Sequence, residues 1–419
     1  MCDVKITGMG IVSALGNNVE ENLQALQANC SGITTLRYLK TSHREFPVGE
    51  VKMTNEEMIN ILQISKNKAT TRTSLMGMLA VREALKNADM QYAIREKRKL
   101  RIAFINGTTV GGMDMSEQFY LDFLENDSKN AYISTHDCGS CTEMIADYFG
   151  IFSQVDTIST ACSSAANAII LGAELLKSGR ADIVVAGGSE CITKFHLNGF
   201  NTLMILDREH CRPFDATRTG LNLGEGAAYI VMERENNQYT ICDMRQSEIV
   251  LSGYANTCDA YHQTASSPDG EGAYLAMKKA IENAKLKPEQ IDYINAHGTG
   301  TANNDLSGGT AIVKLFGNNI PPLSSTKSFT GHTTSAAGGV EAVISILALQ
   351  HNFIPANLNF SEKMPELPFE PYNDMQIEKY YNSTPENSKS KIELKHILSN
   401  SFGFGGNCSS LIFSKRKNL

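Results

Sequence analysis

No apolar run in this 419-residue chain reaches the roughly 18 residues that a membrane-spanning helix needs. The opening Met1-Cys-Asp-Val-Lys-Ile carries no apolar signal core, so the expectation is a cytoplasmic protein with no membrane partner. Positive charge is in deficit: 38 Lys and Arg against 45 Asp and Glu leave a net charge of −7. Such a chain does not as a whole attract nucleic acid or an anionic bilayer. Its ten cysteines form no dense framework and read as reduced thiols. One pair, Cys138-Gly-Ser-Cys141, has the Cys-x-x-Cys spacing, but no second pair and no histidine pair at ligand spacing joins it, so no zinc site is expected. A redox dithiol and two incidental thiols both remain open for it. What is present is ordinary for a folded enzyme-sized protein, with 42% hydrophobic and 20% charged residues.

The chain resembles itself. Residues Met78-Leu-Ala-Val-Arg-Glu-Ala-Leu-Lys-Asn-Ala-Asp-Met90 line up with Tyr274-Leu-Ala-Met-Lys-Lys-Ala-Ile-Glu-Asn-Ala-Lys-Leu286, both amphipathic at helical period. Each is followed by a matching strand, Ile102-Ala-Phe-Ile-Asn106 and Ile291-Asp-Tyr-Ile-Asn295, and later by a Gly/Ala-rich helix, Ser163 to Ser178 and Thr334 to Gln350. Hydrophobic strand runs at Ala181–Ala186 and Ala227–Met232 alternate with these helices, which points to α/β layers around buried sheet. The expected organisation is an N-terminal half, 1–245, and a C-terminal half, 246–419, packed as one body because no Pro/Ser-rich linker separates them, with a site at their seam.

Cys162 lies where an extended run, Asp156-Thr-Ile-Ser-Thr-Ala, gives way to a helical pattern. A thiol at a helix N-terminus is drawn toward thiolate by unpaired N–H groups and the helix dipole; the same residue also reads as a small buried cysteine. His297, in Asn295-Ala-His-Gly-Thr-Gly-Thr301, and His332, in Ser324-Ser-Thr-Lys-Ser-Phe-Thr-Gly-His332, each adjoin small glycine-bearing turns. Such loops at strand ends let a substrate approach the backbone. Ser401-Phe-Gly-Phe-Gly-Gly-Asn407 adds an aromatic loop suited to covering a site. Lys66, Lys68 and Arg72 form a basic cluster, readable as solvated surface or as a face for an acidic partner.

These motifs together, with Ile6-Thr-Gly-Met-Gly-Ile-Val-Ser13 and Arg212-Pro-Phe-Asp215, resemble a β-ketoacyl-acyl carrier protein synthase of the elongating type, within the thiolase-like superfamily. The resemblance spans nearly the whole chain. It implies a five-layered αβαβα sandwich of two duplicated halves. It implies decarboxylative Claisen condensation with malonyl-acyl carrier protein, in fatty acid, polyketide or polyene synthesis. Cys162 would hold the acyl chain, and His297 and His332 would stabilise the enolate, with Lys327 in support and Glu341 behind them. The N–H groups of Cys162 and Phe404 would form the oxyanion hole, and Phe404 would also gate the site. Thr299 and Thr301 would bind the pantetheine arm, and Val110 and Phe200 would line the acyl pocket. Lys66, Lys68 and Arg72 fall near the region that meets the carrier protein. No cofactor of the chain's own and no metal is implied, since phosphopantetheine arrives on the carrier. The assembly would be a homodimer or a heterodimer with a ketosynthase-like partner.

Two departures stand out. Gly308 occupies the place of a common glutamate, and Gly406-Asn-Cys408 replaces the usual Thr-Asn after the glycine loop. A thiolase-type acyltransferase, with Cys408 as second cysteine, and the catalytic subunit of a ketosynthase/chain-length-factor pair are the alternative readings.

Overall fold

The computed structural model describes residues 4–65, 68–90, 100–126, 128, 130–234, 248–373 and 393–416. Ten strands form one sheet: β1 (Val4–Ser13), β2 (Ile102–Gly107), β3 (Gln154–Ile158), β4 (Ile183–Glu190), β5 (Gly226–Arg234), β6 (Ile249–Cys258), β7 (Tyr293–Asn295), β8 (Leu323–Ser324), β9 (His396–Phe402) and β10 (Asn407–Lys415). Their order is β3-β2-β4-β5-β1-β6-β10-β9-β7-β8, which is a mirror-ordered repeat of one five-strand unit. β2 runs parallel to β3 and β4, as β7 does to β8 and β9; the other pairings are antiparallel. The two units meet where Val4 and Lys5 of β1 pair with Leu251 and Val250 of β6.

The repeat extends to a detail of packing. β1 and β6 each carry an irregularity next to a glycine, Gly8 and Gly253. A Cβ at Gly8 would lie 2.5 Å from the Ala84 carbonyl and 2.7 Å from the Ala88 methyl; at Gly253 it would lie 2.3 Å from the Ala280 carbonyl and 2.7 Å from the Ala284 methyl. The bulge and the bare backbone let helix Arg72–Asn87 sit on β1 and β5, and helix Glu271–Asn283 on β6 and β10, at close range. Gly253→Ala would break that contact outright. Helix Arg72–Asn87 begins ahead of the aligned segment 78–90, where Thr71 and Ser74 cap it reciprocally, Thr71 Oγ1 accepting from Ser74 N at 3.0 Å and Ser74 Oγ from Thr71 N at 3.1 Å.

Between the outer helices lie helices Ser164–Lys177 and Ala337–His351, which pack on each other and on strands of both units. This gives five layers: outer helix, one five-strand half of the sheet, paired central helices, the other five-strand half, outer helix. Ala337–His351 is buried from Ala337 through Leu349, as expected for a helix that is apolar on all faces. Ile169, Leu176, Val343, Leu347 and Phe413 fill the central core, and separate cores lie under the outer helices. Truncating one of these, such as Leu347→Ala, costs about 2–5 kcal/mol. Among the described residues no helix is long and apolar enough to cross a membrane. The connections after β3, β7 and β8 leave the carboxyl ends of parallel strands, where α/β proteins build sites.

Candidate active site

After β3 the chain turns through Ala161, which adopts a left-handed φ of 52°. A non-glycine residue held there is under local strain, and the turn delivers Cys162 just ahead of helix Ser164–Lys177. The backbone N–H groups of Phe404 and of Cys162 itself both reach the sulfur. Gly403 makes this approach possible: a Cβ there would stand 3.1 Å from the Cys162 nitrogen. Burial raises the thiol to about 11, against the lowering by Lys327 and the two N–H groups. The expected drift toward thiolate is therefore corrected. Desolvation outweighs the helix terminus, and the resting group is a thiol.

His332 Nε2 lies 3.0 Å from Cys162 Sγ. The His297 ring stands nearly perpendicular to that of His332, with centroids 5.3 Å apart at 86°. Burial, followed by the nearby Lys327 charge, holds both imidazoles well below their ordinary pKa, so both are neutral. Neither Nδ1 has a hydrogen-bond partner among the described residues. Lys327 Nζ donates to the His297 carbonyl at 2.6 Å and to the Glu341 carboxylate. Glu341 also accepts from Ser401 Oγ at 3.4 Å, and burial raises its pKa. One buried ion pair thus ties the His297 loop to the central helix that follows His332.

A cavity of about 310 Å³ opens onto Cys162, His297 and His332 and runs out past Thr299, Thr301 and Phe404. The donor atoms of the cysteine and two histidines lie within 4.8 Å of one another, a set with soft-metal ligand chemistry too. The ammonium held against the His297 carbonyl opposes a divalent cation there.

The family model for the beta-ketoacyl synthase N-terminal domain matches residues 1–238, and that for the C-terminal domain matches residues 249–361. The chain is 31% identical to 3-oxoacyl-acyl-carrier-protein synthase 2 of Coxiella burnetii over 429 residues, covering 98% of each chain. It is 30% identical to the Staphylococcus aureus 3-oxoacyl-acyl-carrier-protein synthase 2 over 424 residues, again 98% of each. Its fold is similar to that of a ketosynthase from Xenorhabdus doucetiae, solved in complex with its chain length factor. The TM-score is 0.83 at 30% identity, covering 99% of this chain and 98% of that one. The chain belongs to the beta-ketoacyl synthase family. It is an enzyme of thiolase-like fold that carries out acyl-carrier-protein-dependent Claisen condensation in fatty acid or polyketide synthesis.

The synthase brings Cys162, His297, His332, Lys327, Glu341 and Phe404 together. Thr299 and Thr301, whose hydroxyls lie 2.9 Å apart, line the entrance. Phe200 lines the cavity and stacks on Phe404, centroids 5.9 Å apart and planes at 21°. Val110 is not in the cavity wall. It is buried in the core under helix Arg72–Asn87, and its N–H donates to Glu190 at 2.8 Å.

Of the basic cluster, Lys68 is exposed and Lys66 lies outside the described residues. Arg72 is corrected outright. Its guanidinium is buried against Glu225 at 2.6 Å and also donates to the Met53 and Val51 carbonyls at 3.0 Å, leaving nothing for a carrier protein. A cationic side chain at a helix start invites a surface reading; its partner 153 residues away cannot be seen in the sequence.

Cys138, Cys141 and Cys408 are free thiols raised by burial, and Cys408 packs in the outer core of the second unit. Gly308 is buried, and a Cβ there would meet Phe402 at 3.8 Å, so a side chain has room. Asp305 is a support that no local sequence pattern announces. Its carboxylate accepts from Phe214 N at 2.7 Å and Gly300 N at 3.1 Å, beside Arg218 at 3.7 Å, and so fixes the loop after His297.

Proposed function

We propose that the enzyme first moves an acyl group from carrier-protein phosphopantetheine onto Cys162. The sulfur attacks the thioester carbonyl, the new C–S bond forms, and the departing pantetheine thiolate takes up the proton that Cys162 gives up. The N–H groups of Cys162 and Phe404, both at the sulfur already, hold the oxyanion.

Malonyl-carrier protein then enters past Thr299 and Thr301. Loss of carbon dioxide leaves an enolate whose oxygen accepts from Nε2–H of His297 and His332. That tautomer leaves each unpaired Nδ1 as an acceptor rather than a stranded N–H, the cheaper arrangement in a buried site. The enolate carbon attacks the acyl carbonyl, the C–S bond breaks, and the Cys162 thiolate is reprotonated from solvent. His332 Nε2 at 3.0 Å from Sγ, with a neutral His297 at its side, is the observation that carries this assignment.

Phosphopantetheine on the carrier supplies the only prosthetic chemistry, and Lys68 belongs to the face that receives the carrier. A second subunit has a place on the surface. Tyr120, Leu121 and Leu124 on helix Met113–Asn126 and Val155 on edge strand β3 are all exposed. That supports a dimer with a second copy or with a ketosynthase-like partner such as the chain length factor of the Xenorhabdus enzyme.

The test is to incubate the protein with acyl-carrier protein and malonyl-carrier protein and to follow β-ketoacyl product and carbon dioxide. Cys162→Ala should abolish loading. Loading that persists in this variant, or that occurs in the parent without any condensation, overturns the reading.

A further inference from the structure

The two N–H groups that meet at the Cys162 sulfur come from different halves of the chain, one from the turn after β3 and one from the loop between β9 and β10. The second lies in a loop where Gly405 and Gly406 adopt left-handed φ values of 79° and 76°, pinned on its outer side by Gly405 N donating to the Gln263 carbonyl at 2.7 Å and Asp259 N donating to the Gly406 carbonyl at 3.0 Å. Those bonds reach away from the nucleophile; the residue that follows ties the loop to the nucleophile's own helix.

Asn407 Oδ1 accepts from Ser163 Oγ at 2.7 Å, Asn167 Nδ2 at 2.9 Å and Asn256 Nδ2 at 2.7 Å. Ser163 adjoins the nucleophile, Asn167 lies one turn into its helix, and Asn256 is on β6. The ring of contacts closes through Asn167 Nδ2 to Thr160 Oγ1 at 2.9 Å, Ser409 Oγ to Asn167 Oδ1 at 2.7 Å and Asn256 Nδ2 to Ser409 Oγ at 2.9 Å. The Asn407 carbonyl in turn accepts from Gly403 N at 2.8 Å, closing the loop that carries Phe404. Ser163, the residue at the start of the nucleophile helix, makes no side-chain cap bond to that helix. Its hydroxyl is directed at Thr160 and Asn407 instead.

We propose that Asn407 is a positioning residue whose single acceptor oxygen sets the Phe404 N–H against Cys162, so that one oxyanion hole is assembled from two halves. The proposal rests on Cys162 being the acyl-holding nucleophile. It also gives a role to one of the chain's departures, the asparagine that stands where threonine is usual. Threonine would offer an oxygen one bond closer to the backbone, short of three donors on two neighbouring elements.

Three variants test it, each read by acyl loading from acyl-carrier protein and, separately, by malonyl decarboxylation, which draws on the histidines and not on this oxyanion hole. N407L keeps the volume and removes the acceptor; its loading kcat should fall about 10- to 100-fold, the scale of a displaced catalytic group. Its KM and its decarboxylation rate should stay within about twofold of the parent. N407D restores an acceptor and should load within about threefold of the parent. Unchanged loading in N407L, equal damage in N407D and N407L, or parallel loss of loading and decarboxylation overturns the proposal. Should N407L fail to fold, N407T carries the test, with loading slowed and decarboxylation kept; loading equal to the parent refutes the idea. An unsubstituted protein that never loads Cys162 sinks the catalytic reading instead, and so separates the two failures.

Discussion

Lys327→Met removes the ammonium that bonds both the His297 carbonyl and the Glu341 carboxylate. Both side chains of the pair are about as buried as any in the protein, at 2% and 3% exposure. Stripping one partner from such a pair costs about 3–5 kcal/mol, because the other charge stays buried without compensation. Protonation of Glu341, whose pKa burial already raises, brings the net loss toward the low end. Lys327→Met with Glu341→Leu removes both charges and should recover most of that stability. Activity should not follow. Without the bond to its carbonyl the His297 loop loses its anchor, and decarboxylation should stay down by about 100-fold in the double variant.

A pH profile adds a signature. Burial first and Lys327 second depress both histidines, and the proposed mechanism runs through the neutral imidazoles. Activity is therefore lost as pH falls through their lowered pKa values, and lifting part of the depression moves the acid limb to higher pH. Thermal unfolding and carbon dioxide release on the three proteins measure this. A double variant that is stable, decarboxylates within twofold of the parent and keeps its acid limb would falsify the role given to Lys327.

His297→Ala and His332→Ala should each leave Cys162 loading measurable while slowing decarboxylation by about 10²–10³, the usual effect of deleting one oxyanion donor; if both prove dispensable, the role assignment is wrong. Alkylation of Cys162 by iodoacetamide should climb about tenfold per pH unit from neutrality toward the thiol's value of about 11. A plateau below pH 8 would show the helix terminus prevailing over burial. Glu190 is raised to about 7, chiefly by burial, against the N–H bonds of Thr109 and Val110. Its proton is held more tightly folded than unfolded, so stability should decline as pH rises from about 4.5 to 7. Urea midpoints for Glu190→Gln should lack that decline, and an unaltered slope removes Glu190 as its source.

The repeat was legible because both copies kept alanines at Ala84, Ala88, Ala280 and Ala284, where a helix must pass close to a glycine on its strand. Cys162, His297 and His332 stood out as candidates because each sits beside small residues that let a substrate approach, and the resemblance along the whole chain, not any one loop, implied their roles. Long-range electrostatics were not legible. Arg72 reads as a surface charge until Glu225 is found against it, and Cys162 reads as a thiolate until its burial is known. Val110 lies in a loop after β2, matching by position the histidine loop after β7, yet Glu190 turns that loop into core. The Asn407 network joins residues near 163, 256 and 407, and no local pattern announces it.

The two central helices have a consequence for synthesis. Each is covered in part by the other half's strands, so the apolar face of Ser164–Lys177 cannot be fully sheltered until β6 and β10 exist, and β10 ends at Lys415. At ordinary elongation speeds the nascent chain carries that exposed stripe for roughly 10 s or more. The core of this enzyme closes only once β10 has emerged, and a fragment ending between the two units would be left with a greasy seam open to self-association.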